Sequence, residues 1–125
     1  MTPTEAAAAF WARLQTLAQY DLLDGEIPET PDRPYVLFWA AAGSPTSRLL
    51  TGRAGELQLT ERFVCVSNHR AGSVHVAQDV VGLFDGWLCS GALVEVTAYD
   101  PISAPDMQAG YRWSVTVEAS LSLSR

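Results

Sequence analysis

Lysine is absent from this chain of 125 residues, and all eight of its basic residues are arginine. Aspartate and glutamate together number 14, so the formal net charge is −6. Proteins that grip nucleic acid by its phosphates need clustered basic residues, and the acidic balance argues against that class. The length is that of a single domain, residues 1–125, and a hydrophobic fraction of 48% is enough to form a core.

Cysteine and histidine are scarce, with two residues of each. A structural zinc site needs about four such ligands at short spacing, and Cys65, His69, His75 and Cys89 are not spaced in that way. We expect two buried free thiols, although a disulfide between Cys65 and Cys89 stays open at this stage. The sequence predicts no metal and no cofactor.

Long apolar runs are missing as well. No stretch approaches the ~20 residues of a membrane-spanning helix. The first residues also lack the basic and apolar regions of a signal peptide. These patterns predict a soluble protein made in a cytoplasm.

Common catalytic motifs are not found, among them GxSxG, the Walker loop, HExxH and the glycine-rich dinucleotide turn. The remaining polar groupings are Cys65 with His69, His75 with Asp79, and Asp21 with Asp24 and Glu26. Each grouping is typical of ordinary core or surface side chains. The sequence therefore predicts no enzyme and no catalytic residue.

The apolar pattern predicts two helices and four strands. Thr2, Pro3 and Glu5 form a helix start, and helical spacing continues to about residue 23. The other predicted elements are a helix at about 71–88 and strands at about 35–41, 56–67, 92–99 and 111–123. The first strand is apolar on both faces and should be covered on both sides. We expect an α+β fold, with a mainly antiparallel four-stranded sheet and both helices on one face.

A small, polar segment separates the first two strands, with the sequence AGSPTSRLLTGRAG. We call residues 42–55 the arm and expect a long, hairpin-like loop. It carries Arg48, Leu49, Leu50 and Arg53. A long loop in a compact domain is usually functional or disordered.

The second helix has an apolar arc that covers about half of its circumference, which exceeds the ~100° that a surface helix needs. One stripe of this arc includes Val76, Leu83 and Trp87. The part of the apolar arc beyond this width faces either the first helix or another subunit. Gly82 and Gly86 fall on the polar side, where each costs ~1 kcal/mol relative to alanine. They are either merely tolerated or mark the approach of another backbone or a ligand.

The last strand alternates over about thirteen residues, against a typical length of 5–6. Its apolar side chains run from Tyr111 to Leu123 on one face. We expect so long a strand to overhang its own sheet and to pair elsewhere.

Three segments together resemble the tail terminator family of long-tailed, siphovirus-like bacteriophages. They are DGEIPETPDRPYVLFW, SPTSRLLTG and ELQLTERFVCVSNHRAGSVHVAQDVVGLFDGWL. The matching features are Asp24-Gly25, Pro34-Tyr35, Arg48-Leu49, Phe63-Val64-Cys65-Val66 and the helix from about Ala71. The resemblance covers nearly the whole chain.

This resemblance implies a structural virion protein. Tail terminators form a hexameric ring on the head-proximal end of the tail tube, stop tube polymerisation and provide the surface for head–tail joining. The implied partners are other copies of the chain, the tail tube protein and a head-completion or connector protein. Phage DNA passes through the lumen without specific binding, and the protein sits at the head–tail neck of the virion.

The resemblance also implies a role for the arm, as a contact with a neighbouring subunit or with the tube. Leucine side chains of the arm then bury against the neighbour, and its arginines pair with acidic residues. The interface residues predicted in this way are Arg48, Leu49, Leu50, Arg53, Val76, Leu83 and Trp87.

Two other functions stay open. One is another neck or tail component, such as a tail completion, adaptor or tube protein. The other is a monomeric ligand-binding or enzymatic α+β domain, which needs a concave pocket with convergent polar groups. Such a pocket could be lined by Trp39, Trp87, Trp113 and His75. Packing in a core or an interface explains the tryptophans as readily.

Overall fold

A computed structural model describes residues 2–24, 34–39, 56–99 and 113–124. The arm lies outside these residues, and with it Arg48, Leu49, Leu50 and Arg53. The elements in chain order are α1 (Pro3–Leu14), β1 (Asp21–Asp24), β2 (Tyr35–Trp39), β3 (Glu56–Ser67), α2 (Arg70–Phe84), β4 (Leu88–Cys89), β5 (Ala92–Leu93), β6 (Glu95–Tyr99) and β7 (Trp113–Ser124). The predicted α+β class with two helices is confirmed.

The main sheet has five strands in the order β1-β2-β3-β7-β6, and β4 and β5 form a separate two-stranded sheet. β1 is parallel to β2, whereas the other neighbours in the main sheet are antiparallel. The prediction of a mainly antiparallel four-stranded sheet was therefore wrong in strand number and in the parallel edge. The predicted strand at 92–99 is also divided, because Val94 separates β5 from β6.

α1 begins as predicted and ends early. Its start is capped by the Thr2 hydroxyl, which accepts a hydrogen bond from the Glu5 N–H at 3.1 Å. Beyond Leu14 the backbone hydrogen bonds join residues three positions apart, from Thr16 to Arg13 and from Leu17 to Leu14. The Thr16 hydroxyl also donates to the Arg13 carbonyl. The residues predicted to continue the helix instead form β1, in register with Tyr35–Phe38.

α2 runs from Arg70 to Phe84, four residues short of its predicted end. Gly86 follows the helix with a φ of +82°, so it was wrongly placed in the helix interior. Its N–H donates to the Val94 carbonyl at 2.9 Å, which starts the β4–β5 hairpin. The hairpin turns at Ser90 and Gly91, both with positive φ, as a two-residue type I′ turn requires.

β3 and β7 form a ladder that pairs all twelve residues of each strand. β7 therefore does not overhang alone, because β3 is equally long. β2 pairs only with the second half of β3, and β6 pairs with a short central part of β7. The predicted alternation of β7 is confirmed where side chains are described: Val115, Val117, Ala119 and Leu121 are all buried.

Four phenylalanines from the sheet and both helices form the centre of the core. Phe63 of β3 stacks on Phe38 of β2, on Phe10 of α1 and on Phe84 of α2, with ring centroids 4.6–6.2 Å apart. Both helices thus pack on the sheet face that carries Phe63. On the opposite face, which we call the outer face, Tyr35 and Leu37 are also buried. The prediction that β2 is covered on both sides is confirmed.

Candidate interaction surface

The stripe of α2 that was predicted to contact another subunit packs largely into the core of the fold itself. Val76 is fully buried in the core, so its assignment to a subunit interface was wrong. Trp87 is half-buried, with its ring centroid 5.3 Å from that of Phe10. Arg13 of α1 lies 4.9 Å above the Trp87 ring and donates to the Leu83 carbonyl at 2.7 Å. The wide apolar arc is therefore used mainly by the fold itself, while a subunit contact of Leu83 and Trp87 stays a prediction.

An open apolar groove of about 390 Å³ lies between α2 and β6. Its lining residues are Gln78, Val81, Gly82 and Val96. Gly82 is exposed, and both valines are half-buried. The sequence singled out Gly82 but could not show that Val96, fourteen positions later, lies opposite it.

One acidic side chain is held beside this groove. An Asp85 carboxylate oxygen accepts a hydrogen bond from the Val96 N–H at 3.1 Å, which holds Asp85 beside the groove. The groove therefore combines a largely apolar lining with one carboxylate beside it.

Two exposed leucines lie on the β4–β5 hairpin. Leu88 and Leu93 are cross-strand partners and are 62% and 50% exposed. Their neighbours Cys89 and Ala92 point to the core side. An exposed pair of adjacent leucines is a feature that protein–protein contacts often use.

The outer face of the sheet is polar around β3, β6 and β7. The hydroxyl of Ser120 lies 2.9 Å from that of Thr60 and 3.1 Å from that of Thr97. A cleft of about 320 Å³ opens here, lined by Gln58, Leu93, Glu95, Thr97, Ser120, Leu121 and Ser122. None of the four residues suggested for a ligand pocket, Trp39, Trp87, Trp113 and His75, lines this cleft or the α2–β6 groove.

Tyr20, Asp79 and His75 form a polar cluster where the end of the α1–β1 connection meets α2. The Tyr20 hydroxyl donates to Asp79 Oδ2, and His75 Nε2 lies 3.7 Å from the same oxygen. His75 is exposed, whereas Tyr20 is buried. The predicted His75–Asp79 pairing is thus present, and it is joined by a tyrosine that the sequence pattern did not reveal.

This cluster predicts a loss of stability at high pH. Burial and the Asp79 carboxylate raise the pKa of Tyr20 from 10.0 to about 12. Because the unfolded chain releases this proton first, the contribution of Tyr20 to the free energy of unfolding is constant below about pH 10 and falls from there to about pH 12. The fall is on the order of 2 kcal/mol. In Tyr20→Phe we expect this part of the fall to be missing, while the part that comes from the buried thiols of Cys65 and Cys89 remains. We also expect a cost of about 1 kcal/mol at lower pH from the lost hydrogen bond. Urea unfolding of both proteins across this range measures both effects, and parallel pH profiles would contradict the assignment.

Cys65 and Cys89 are not joined by a disulfide and are both buried, as expected. Burial raises the pKa of both thiols, and the nearby Glu61 carboxylate raises that of Cys89 further. A thiol needs a lowered pKa and access to act as a nucleophile. These two cysteines therefore behave as packing residues.

Glu61 is a buried polar residue that the sequence analysis passed over. It is fully buried on the core face of β3, in alternation with Leu59 and Phe63. The signal was present in the sequence, because strict alternation places residue 61 on the apolar face of the strand.

Among the described ranges, no group of three or more histidine, cysteine or acidic side chains is placed to hold a metal ion. Asp21 and Asp24 lie in β1, and Glu26 lies outside those ranges. Neither of the two described helices is long and apolar enough to cross a membrane.

Substitution by alanine should have opposite effects on stability at two glycines of α2. A methyl group at Gly82 would meet nothing within 4 Å among the described residues beyond its own helix and chain neighbours. Gly82→Ala should therefore stabilise the fold by about 0.5–1 kcal/mol through helix propensity. At Gly72 the same group would lie 2.3 Å from Ser67 Oγ, so Gly72→Ala should destabilise by about 1–3 kcal/mol. Chemical denaturation of both variants tests this, and shifts of the same sign would contradict it.

A comparison of the sequence with models of known protein families finds no match, and a search of curated proteins finds no relative with significant similarity.

Proposed function

We propose that this chain is a structural virion assembly protein of the tail terminator kind. Copies of the chain assemble into a hexameric ring on the head-proximal end of a tail tube. The ring stops tube polymerisation and presents the surface to which a head-completion or connector protein binds. It works without a catalytic centre and without a cofactor, at the head–tail neck of the virion.

The observation that carries this proposal is the apolar surface on the β6 side of the fold. Leu88 and Leu93 are exposed, and the groove lined by Val81 and Val96 is open beside α2. Such surface is costly for a monomer to leave in water at ~25 cal/mol per Å² of apolar area. Burial between subunits removes that cost, which favours an assembly protein. The resemblance of the sequence to tail terminators supplies the kind of assembly.

The net charge of −6 is compatible with a ring that DNA must traverse without specific binding. The polar cleft on the outer face is the feature that favours a ligand-binding domain instead. Its lining contains one carboxylate, from Glu95, and several hydroxyl groups. This second function requires a monomer that binds a polar small molecule.

Native mass spectrometry over a range of concentrations, with negative-stain imaging of the same samples, tests the proposal. Closed six-membered rings that do not stack are the expected result. Long tubes would indicate a tube protein, because stacking contacts build open assemblies. A chain that stays monomeric and fails to bind the ends of added tail tubes would overturn the proposal and favour the ligand-binding alternative.

The arm provides a variant for the same assay. We expect Arg48→Glu combined with Arg53→Glu to leave the circular dichroism spectrum unchanged and to weaken ring formation or tube capping. Opposite charges across an interface guide partner choice, and reversal replaces attraction with repulsion. Unchanged assembly would show that these two arginines lie outside the interface.

A further inference from the structure

We propose that the cleft on the outer face of the sheet binds a small organic cation, with an ammonium group on a short apolar stem. Glu95 supplies the opposite charge, and the hydroxyl of Thr97 accepts a hydrogen bond from the ammonium group. Leu93 packs against the stem. All described lining residues belong to one chain, so this site does not rest on the ring proposed above and is compatible with it.

The first argument is a β-bulge in β6, which brings two side chains to the same residue of β7. Glu95 pairs with Ser120. The register shifts between Val96 and Ala98, which makes Thr97 the extra residue of the strand. The Thr97 hydroxyl lies 3.1 Å from that of Ser120, so Glu95 and Thr97 flank Ser120 together. Bulges re-aim side chains and are over-represented next to functional sites.

The second argument is a chain of three hydroxyl groups along one side of the cleft. Ser120 is at its centre, with its oxygen 2.9 Å from that of Thr60 and 3.1 Å from that of Thr97. Each hydroxyl has one hydrogen and two lone pairs, so Ser120 can donate to Thr60 while it accepts from Thr97. The lone pairs of Thr97 then face a ligand as acceptors, and an ammonium group is a ligand that only donates. Ser120 is buried, which holds this acceptor in place.

The third argument is charge. Glu95 is the one charged residue among the described residues that line the cleft. Arg62, a basic residue of β3 on the same face, pairs with Glu118 at 3.0 Å. The whole chain carries a net charge of −6. A carboxylate without a basic residue beside it in the described lining attracts a cation and repels an anion.

The apolar part of the lining and the size of the cleft define the rest of the ligand. Leu93 is 50% exposed and lines the cleft two positions before Glu95. An alkyl stem that covers Leu93 removes apolar surface from water, which is favourable. The volume of about 320 Å³ is near the lower limit for ligand sites, so the cleft admits a small molecule.

Saturation-transfer NMR that observes the ligand tests the site on the full chain, whether it is a monomer or a ring. The probe is butylammonium chloride. Butanol and sodium butyrate have the same stem without a charge and with the opposite charge. We expect saturable binding of butylammonium with a millimolar Kd, as is usual for so small a molecule, and much weaker binding of the other two.

Three variants locate the site. Glu95→Gln keeps the shape of the side chain and removes the charge, so it should weaken binding of butylammonium about fivefold, the upper end for an exposed charge pair. Thr97→Val removes the hydroxyl acceptor and should weaken binding about threefold. Glu118→Gln is the matched control, because it removes the same charge from the same face outside the described lining. Its effect should be less than about 1.5-fold, since salt screens distant surface charges.

Several results would overturn the proposal. One is the absence of saturable butylammonium binding, and another is equal binding of butanol. Equal losses in Glu95→Gln and Glu118→Gln would show that binding follows the general surface charge. Potassium chloride that displaces the probe more strongly than tetramethylammonium chloride at the same ionic strength would assign the cleft to an inorganic ion. Native mass spectrometry of the same samples reports ring formation separately, so a failed ring and a failed cation site give different results.

Discussion

Phe63→Ala should lower the free energy of unfolding by about 3–5 kcal/mol, the range found when a large buried aromatic side chain is removed. Phe63 stacks on Phe10, Phe38 and Phe84, so one side chain joins the sheet to both helices. Its loss leaves a cavity that three separate elements cannot close together. The stability of a domain of this size is about 5–15 kcal/mol, and a large part of it is lost.

Urea unfolding followed by circular dichroism measures this effect, with two variants for comparison. Phe63→Leu keeps most of the volume and should cost less than about 1.5 kcal/mol. Trp39→Ala removes an aromatic side chain that is 45% exposed, and its cost should be less than about 1 kcal/mol. Equal costs for Phe63→Ala and Trp39→Ala would show that the phenylalanine cluster is not the centre of the core.

Glu61→Ala should destabilise the fold by about 3–5 kcal/mol, as expected for the loss of a buried, partnered ionisable side chain. Glu61 is fully buried between Leu59 and Phe63, opposite Ala119 of β7. Removal of its side chain creates a cavity and takes a partner from the groups that interact with it.

The same measurement with Glu95→Ala is the matched control, because Glu95 is exposed on β6 of the same sheet. Its substitution should change stability by less than about 0.5 kcal/mol. Glu61→Gln keeps the volume and the hydrogen-bonding capacity, and it should retain most of the stability that alanine loses. If Glu61→Ala were no more costly than Glu95→Ala, the buried position of Glu61 would be contradicted.

The elements with strict periodicity were predicted closely. β3 was predicted at its observed bounds, and β7 began within two residues of its predicted start. Alternation in these strands reflects one buried face, so it can be read without knowledge of the partner strand. The cap of α1 at Thr2 is local in the same sense, because donor and acceptor are three residues apart.

Predictions that depended on a distant partner were less successful. Leu17 and Leu22 continue the helical spacing of α1, yet Leu22 lies in β1 because its segment pairs with β2. The stripe with Val76 and Trp87 was recognised as apolar, but spacing could not show that Val76 lies in the core and that Trp87 contacts Phe10 of α1. Gly86 appeared to lie inside a helix, whereas its contact with Val94 across the hairpin ends the helix first.

The candidate surface follows the same division. The local sequence alone was enough to recognise the arm, the apolar arc of α2 and the unusual Gly82. The groove required the position of β6 beside α2, and the exposed Leu88–Leu93 pair required the β4–β5 turn. Periodicity reports which side of an element a residue occupies, because that depends on backbone geometry within a few residues. Which element covers that side depends on strand order and long-range pairing, and these arise only when the whole chain packs.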